Sequence, residues 1–351
     1  MNGRLVTLDY LRGLCAFGIM VYHYLYWLEG PMSANQFMGR VGVYGVSIFY
    51  VLSGLTLFHV YEYSQSDQGF SVLSFFKKRF FRIFPLLWLA TICAVIISKK
   101  QPDPLDLFLN LTGLFGFFSW DGTFATGAWS IGNELVFYSI FPLILYSCMR
   151  NRVLLIGILA SAAALHHYFA FHILHPDAGL AEQWHDYVNP LNQIFLFTAG
   201  CVIGLMTKRL SFSPIAITCI VVSGIALFIV TPAEGNNIHL VSGWNRWIFT
   251  CSCLLICIGA YKLEIPLLGK IDTTLKLLGE SSYSVYMLHA LVFSVTAYPI
   301  KILQNSGFAL PMIFKMIIPI AITLSLSYVV YVYFEKYFIR LGSRISEVKS
   351  K

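Results

Sequence analysis

The sequence predicts an all-α polytopic integral membrane protein with about ten transmembrane helices and with both termini in the cytoplasm. Its 351 residues are 57% hydrophobic and only 12% charged, and their mean hydropathy is +0.70. A water-soluble domain of this length carries far more charged surface. The formal net charge of +7 comes from short basic clusters between apolar runs. No basic domain is present, so nucleic acid is not a predicted partner.

Ten apolar segments are long enough to cross a hydrocarbon layer of about 30 Å. We predict spans at 8–28, 41–62, 80–98, 128–148, 153–174, 190–207, 213–230, 246–261, 280–299 and 312–339. The apolar segment 105–119 is shorter and is interrupted by Asn110 and Gly113. We therefore predict a re-entrant or interfacial element there. The chain, 1–351, is predicted to be a single transmembrane domain without an appended soluble domain.

The basic residues support this topology and predict its orientation. With the N-terminus inside, 18 of the 24 lysines and arginines fall on the inner side, as the positive-inside rule expects. The six on the outer side are Arg40, Lys99, Lys100, Arg246, Lys301 and Lys315. The predicted location is the cytoplasmic (inner) membrane, with several crossings of the lipid bilayer.

Cysteine spacing and loop composition say less about structure and function than the apolar and basic patterns do. The eight cysteines lie within apolar runs, without a disulfide framework or a zinc-ligand spacing. They are predicted to be small buried hydrophobic residues, and no metal site is predicted. Two outer loops, 175–190 and 231–246, are rich in His, Trp, Asn, Asp and Glu. They are either ordinary solvated loops or contacts for a hydroxylated ligand.

Arg12 and His23 are the first candidate functional residues. They are eleven residues apart in the first predicted span, so they share one face of an α-helix and are separated by about 16.5 Å along its axis. Ionisable side chains inside a membrane are costly and are functional candidates. Histidine also suits proton transfer near neutral pH. The alternatives are a hydrogen bond between helices for His23 and an interfacial anchor for Arg12.

Arg79 and Arg82 form the second candidate, in the segment FFKKRFFRIFP at 75–85. Their spacing of three residues, at the inner start of the third span, makes them project together. A guanidinium group pairs with phosphate through two hydrogen bonds. The pair therefore predicts a binding site for a phosphorylated cytosolic ligand; the alternative is a positive-inside anchor.

Polar residues in three later spans complete the candidate set. They are Glu134, which Trp129 and Tyr138 flank, His289, which Tyr283 precedes, and Glu335. A carboxylate inside a span needs a partner or a proton. The alternatives are hydrogen bonds that fix the helix bundle and, for Glu335, an interfacial position. With the arginines, these residues predict a polar cavity whose phosphate-binding mouth faces inward.

The second span contains a stretch of small residues. Gly42, Gly45, Ser53 and Gly54 permit a close approach between helices.

Together these motifs resemble the membrane-bound acyltransferase-3 family over about residues 7–338. The similar segments are LDYLRG with its following histidine, FYVLSG, RFFRIFP, WSIGNELVFY, LGESSYSVYMLH and FE, in the order that the family has. The spacing from Arg12 to His23 and the paired arginines are the most specific parts. Asn133 and Leu135, on either side of Glu134, depart from the pattern expected of many members.

The resemblance implies a ten-helix membrane enzyme that transfers an acyl group, usually acetyl, from cytosolic acyl-CoA to a hydroxyl group. The implied acceptors are cell-surface or lipid-linked polysaccharides, such as lipopolysaccharide O-antigen or exopolysaccharide. Acyl-CoA is the donor co-substrate and no metal is implied. A transporter or flippase that uses its ionisable residues as a proton relay is the alternative, and a membrane scaffold is a third reading. The oligomeric state is not predicted.

The resemblance also suggests roles for the candidate residues. Arg12, Arg79 and Arg82 are predicted to bind coenzyme A. His23 is predicted to be a general base or a transient acyl carrier. The catalytic set also includes Glu134, as an orienting group, and His289, as a stabiliser of the oxyanion. Substrate binding or structural support is predicted for Asp9, Trp129, Tyr138, Tyr283 and Glu335.

Overall fold

The computed structural model describes residues 5–67, 70–263, 269–306 and 310–347, which form helices and loops without a β-strand. The first helices are α1 (Val6–Glu29), α2 (Phe37–Asp67), α3 (Val72–Ser98), α4 (Pro104–Thr112), α5 (Phe115–Phe118), α6 (Ala128–Arg150), α7 (Arg152–Tyr168) and α8 (Trp184–Tyr187). They are followed by α9 (Pro190–Thr207), α10 (Pro214–Val230), α11 (Ile238–Val241), α12 (Gly243–Lys262), α13 (Gly269–Glu280), α14 (Ser282–Asn305), α15 (Met312–Val330) and α16 (Lys336–Glu347). Two π-helical turns, Phe169–Ile173 and Tyr331–Glu335, extend α7 and join α15 to α16.

Ten helical segments among the described residues overlap with the ten predicted spans. In the described part of the chain, seven helices are long and apolar enough to cross a membrane, namely Phe37–Glu62, Val72–Ser98, Ala128–Arg150, Arg152–Ile173, Trp184–Thr207, Ser282–Leu303 and Met312–Ser346. The other three predictions correspond to α1, α10 and α12, of which α10 is apolar but shorter. The all-helical, multi-pass class is confirmed for the described residues. The count of ten crossings and the cytoplasmic position of the termini stay predictions.

The third predicted span begins too late. The helix starts at Val72 rather than at residue 80, because the Ser71 hydroxyl accepts a hydrogen bond from the backbone N–H of Ser74 and caps it. Hydropathy misses these first turns because they carry four cations. Arg79 and Arg82 therefore lie two to three turns inside α3.

The segment 105–119 forms two short helices. The nine-residue α4 is about 13.5 Å long, which is less than half of a hydrocarbon layer. Asp103 caps its start by accepting from the N–H of Leu105 at 2.8 Å, and Gly113, with φ of 75°, ends it. The side chain of Asn110 then donates to the carbonyl of Gly122 at 2.9 Å. This segment is folded back on itself and is too short to cross as a helix.

The predicted small-residue contact is found at three of its four positions. A Cβ atom on Gly54 would lie 2.0 Å from a carbonyl oxygen of α9, and one on Gly200 would lie 2.2 Å from a carbonyl oxygen of α2. These two helices approach so closely that only glycine fits at their contact. Gly42 and Gly45 lie against side chains of α1 in the same way.

The cysteine prediction is only partly right. All eight cysteines are free, and five of them are buried. Cys219 and Cys251, however, are exposed, because α10 and α12 turn these faces away from the bundle. In a membrane protein an apolar run does not by itself imply burial against protein, since lipid also satisfies it.

Candidate active site

A cavity of about 560 Å³ lies between α1, α2, α3, α6, α14 and the C-terminal helical segment. Its volume is within the range of small-molecule sites, about 300–1,000 Å³. Eight of the predicted site residues line it: Asp9, Arg12, Arg79, Arg82, Glu134, Tyr138, Tyr283 and Glu335. His23, His289 and Trp129 do not. The cavity therefore joins the predicted donor-binding residues, and the two histidines lie outside its walls.

Arg79 and Arg82 line one side of the cavity from α3. The guanidinium group of Arg79 lies over the ring of Tyr138, 6.0 Å from its centroid. Its Nε atom is buried and has no hydrogen-bond partner among the described residues. A buried donor without an acceptor is costly, and an anionic ligand supplies that acceptor. The environment of Arg79 thus fits the predicted phosphate contact.

Arg12 faces the cavity from α1 and is held there by α2. One of its terminal nitrogens donates to the hydroxyl of Thr56 at 2.6 Å and to the carbonyl of Leu52 at 3.4 Å. The other lies 3.6 Å from the Asp9 carboxylate. Close packing fixes this region, because a Cβ on Gly279 of α13 would lie 2.2 Å from the Asp9 carbonyl oxygen. Arg12 is therefore a cavity residue with fixed partners.

Glu134 contacts a phenol rather than an imidazole. The hydroxyl of Tyr138, one turn along α6, donates to Glu134 at 2.7 Å. Ser53 of α2 lies 3.0 Å from the same hydroxyl and donates to it, since the tyrosine proton is already used. Glu134 was predicted to be an orienting group, and the side chain that it contacts is this phenol of the cavity.

Glu335 is buried in the cavity wall, with only 5% of its surface exposed. It accepts a hydrogen bond from the Ser284 hydroxyl of α14. It ends the π-helical turn that begins at Tyr331, and both residues line the cavity. Such turns often occur at functional sites. Glu335 is therefore a buried residue of the cavity wall, and its depth relative to the membrane interface stays a prediction.

His23 and His289 form a direct pair between α1 and α14. The Nδ1 atom of His23 lies 3.0 Å from Nε2 of His289, and the two rings stack with centroids 5.0 Å apart. Nδ1 of His289 lies 2.7 Å from the carbonyl oxygen of Tyr286. A carbonyl only accepts, so this Nδ1 carries the proton, and Nε2 of the neutral ring must accept from His23. The pair therefore leaves Nε2 of His23 as an unprotonated base.

This arrangement changes the predicted role of His289. Both of its ring nitrogens are engaged, so it has no free N–H for an oxyanion. Its carbonyl group also accepts from the Tyr24 hydroxyl at 2.9 Å, which fixes the backbone. The geometry instead resembles the third member of a catalytic triad, which orients the base and fixes its tautomer.

Tyr286 separates the cavity from the histidine pair. It lines the cavity, its ring centroid lies 6.0 Å from that of His289, and its carbonyl holds His289. Its hydroxyl donates to the carbonyl of Gly127 at 3.2 Å and lies 2.9 Å from Ser130. Sequence analysis assigned it no role. Its position three residues before a histidine in one helix is the signal that was available.

Trp129 packs away from the cavity. Its ring lies 5.5 Å from that of Trp184 and 6.0 Å from that of Tyr187. Of the two predicted roles, this packing matches structural support.

The two groups of site residues lie toward opposite ends of α1. His23 is 17 residues after the start of this helix and six before its end, or about 26 Å and about 9 Å along the axis. Arg12 lies near the other end. The base is therefore about 16.5 Å from the arginine that marks the cavity.

The model of a family described as an acyltransferase domain matches residues 5–332. The peptidoglycan O-acetyltransferase OatA of Listeria monocytogenes is 22% identical over 348 residues, which is 90% of this chain and 53% of that protein. The exopolysaccharide production protein ExoZ of Rhizobium meliloti is 25% identical, covering 73% of this chain and 78% of that protein.

The acyltransferase MdmB of Streptomyces mycarofaciens is 28% identical over a shorter stretch, 41% of this chain and 40% of that protein. The chain spans about half the length of the OatA relatives, with 53% of the Listeria protein and 51% of the Staphylococcus aureus one. No solved structure matches the chain.

Proposed function

The chain belongs to the acyltransferase-domain family, and from this premise we propose that it is a membrane O-acetyltransferase. In this proposal it moves an acetyl group from cytosolic acetyl-CoA to a hydroxyl of a polysaccharide. The observation that carries the proposal is a cavity lined by three arginines and by Tyr286, whose carbonyl contacts His289 of the histidine pair. A site of this kind provides a place for an anionic donor and, beyond it, a base for the acceptor.

The donor enters from the Arg12 end of the cavity, which we place on the cytosolic side with both termini. Arg79 and Arg82 bind the phosphates of the coenzyme, and Arg12 contacts the donor further in. The unpaired Nε of Arg79 supports the first contact. The acyl-bearing arm then extends along the face shared by Arg12 and His23, past Tyr286. Its length has to cover the distance of about 16.5 Å along α1.

The chemical step uses the free Nε2 of His23. It removes the proton of the acceptor hydroxyl while that oxygen forms a bond to the thioester carbon. The carbon–sulfur bond then breaks, and the proton passes from His23 to the leaving thiolate, which gives the free thiol of coenzyme A. His289 accepts the hydrogen bond of His23 Nδ1 throughout and so stabilises the imidazolium.

The same nitrogen is the atom that would carry the acyl group in a two-step route. A single turnover with labelled acetyl-CoA and without acceptor separates the two routes. The general-base route leaves no label on the protein, whereas label that maps to His23 after rapid denaturation at neutral pH contradicts it.

The acceptor we propose is a cell-surface or lipid-linked polysaccharide at the cytoplasmic membrane, which the chain crosses about ten times. The names of two relatives support the class: one acetylates peptidoglycan and the other takes part in exopolysaccharide production. O-antigen and exopolysaccharide are specific acceptors to test.

The decisive experiment uses the purified full chain in liposomes with labelled acetyl-CoA and candidate glycans. We expect labelled glycan and an equal amount of free coenzyme A thiol, both lost in His23→Ala. A transporter or flippase, the alternative, instead moves solute without consuming acetyl-CoA. Solute movement without thiol release would overturn the proposal.

A further inference from the structure

Aromatic side chains of α1 surround His23. The ring of Tyr22 lies 5.2 Å from His23, and that of Trp27 stacks on His23 at 5.2 Å. Tyr26 extends this group, 6.1 Å from Tyr22, and is 39% exposed. None of the three aromatic residues lines the donor cavity. His23 therefore borders an aromatic group that is separate from the residues of the donor cavity.

A polar side chain from another segment joins this aromatic group. The loop before α12 is tied to the chain that follows α1, because the N–H of Ala34 donates to the carbonyl of Gly235 at 2.9 Å. Two residues later, the side-chain nitrogen of Asn237 lies 3.5 Å from the hydroxyl of Tyr22. The Oδ1 atom of Asn237 is buried and accepts no hydrogen bond from the described residues. This atom lies beside Gly39 of α2, so the amide nitrogen and the Tyr22 hydroxyl are the polar groups that the pair offers to a ligand.

We propose that Tyr22 and Asn237 form the binding site for the sugar residue of the acceptor that becomes acetylated. The inference rests on the proposed function and names the place of its second substrate. An aromatic ring covers the apolar C–H face of a pyranose, while the phenol and the amide bind its hydroxyls. Both groups are neutral, which fits an uncharged sugar unit. Tyr22 immediately precedes His23, so a hydroxyl of a sugar held there is within reach of the base.

Packing fixes the ring of Tyr22. It lies against Gly42 of α2, where a Cβ atom would come within 2.4 Å of the ring carbons. Gly42→Ala therefore displaces the ring without altering a polar group. Gly45→Ala, one turn further along α2, is the matched control. A Cβ atom there would lie 2.7 Å from Ile19 instead. The substitution therefore crowds the same two helices at a place that does not include Tyr22.

The test measures acetyl transfer with acceptor and acetyl-CoA varied separately. For Tyr22→Phe and for Asn237→Ala we expect the KM for acceptor to rise about three- to tenfold, the effect of one neutral hydrogen bond. The KM for acetyl-CoA should stay unchanged. Gly42→Ala should also raise the KM for acceptor and leave the KM for acetyl-CoA unchanged. Gly45→Ala should keep the wild-type KM for acceptor. Thermal unfolding of each variant identifies any that fail to fold.

An unchanged KM for acceptor in both Tyr22→Phe and Asn237→Ala, in a wild-type protein that acetylates glycan, overturns this binding site and leaves the proposed function standing. Equal increases in both KM values also overturn it, since they indicate a general disturbance or an aromatic anchor at the membrane interface. Absence of thiol release in the wild type overturns the proposed function itself.

Discussion

The two ends of α1 provide opposite environments for residues on one helical face. Around Arg12 there is a cavity of about 560 Å³ lined by arginines and carboxylates. Around His23 there are stacked rings, an imidazole partner and no part of that cavity. An anionic ligand needs space and charge, whereas a base needs a fixed tautomer and exclusion of water. Under the proposed function, this difference separates donor binding at one end of α1 from proton transfer at the other.

Removal of the base should give the largest effect. For His23→Ala we expect kcat to fall about 10²- to 10⁴-fold, the usual contribution of a general base. The KM for acetyl-CoA should remain close to that of the wild type, because Arg12 and its neighbours are untouched. Release of coenzyme A thiol measures both constants. His167→Ala, at an exposed site on α7, is the control and should have no effect; near-normal turnover in His23→Ala would contradict the assignment.

Removal of the paired cations Arg79 and Arg82 should weaken donor binding more than turnover, which is the reverse of the effect expected at His23. A charge-assisted hydrogen bond is worth about 1.5–3 kcal/mol, so Arg79→Ala with Arg82→Ala should raise the KM for acetyl-CoA about a hundredfold or more. Turnover at saturating donor should fall much less. Arg150→Ala with Arg152→Ala removes two exposed cations at the same end of the bundle and controls for charge. Equal donor affinity in the two double variants would reduce the pair to a topological anchor.

Removal of the partner imidazole tests whether His289 orients the base. We expect His289→Ala to lower kcat about 10- to 100-fold, the value of a hydrogen bond to a group that becomes charged. His289→Gln should recover part of this loss, because an amide oxygen can still accept from His23 Nδ1. A measurement of kcat against pH should show a displaced profile in both variants. If His289→Gln is as impaired as His289→Ala and the profile is unchanged, the histidine only fills space.

The sequence predicted the Arg12 end of the molecule better than the His23 end. Some cavity residues are close within one helix, such as Glu134 and Tyr138, and helical periodicity predicts those contacts. His23 and His289, which pair across two helices, are 266 residues apart in the sequence. Hydropathy and spacing do not state which helices pack against each other, so this contact and the role of Tyr286 appeared only in the structure. The start of α3 was predicted too late for a related reason. The cations of its first turns lower the hydropathy there, although Ser71 caps the helix.

The smallest effect we predict concerns how α13 is attached at the Arg12 end. The Asp272 carboxylate accepts from Lys276 at 2.7 Å and from the hydroxyl of Tyr10. These contacts lower the pKa of Asp272 below its usual value. Because the folded-state pKa is lowered, the contribution to stability is present above the unfolded pKa of about 4 and is lost as pH falls through the folded value.

Asp272→Asn should therefore lower the unfolding temperature at pH 7 by no more than about 2–4 °C, as for a partly exposed ion pair. The difference from the wild type should shrink as the pH falls to about 3. Thermal unfolding of the detergent-solubilised protein at several pH values measures this, with Asp177→Asn, at an exposed loop position, as the control. Turnover should stay at the wild-type level, because Asp272 contacts neither the cavity arginines nor the histidine pair. A difference that persists unchanged at low pH would show that α13 is held by packing, such as the Gly279 contact with Asp9, rather than by this carboxylate.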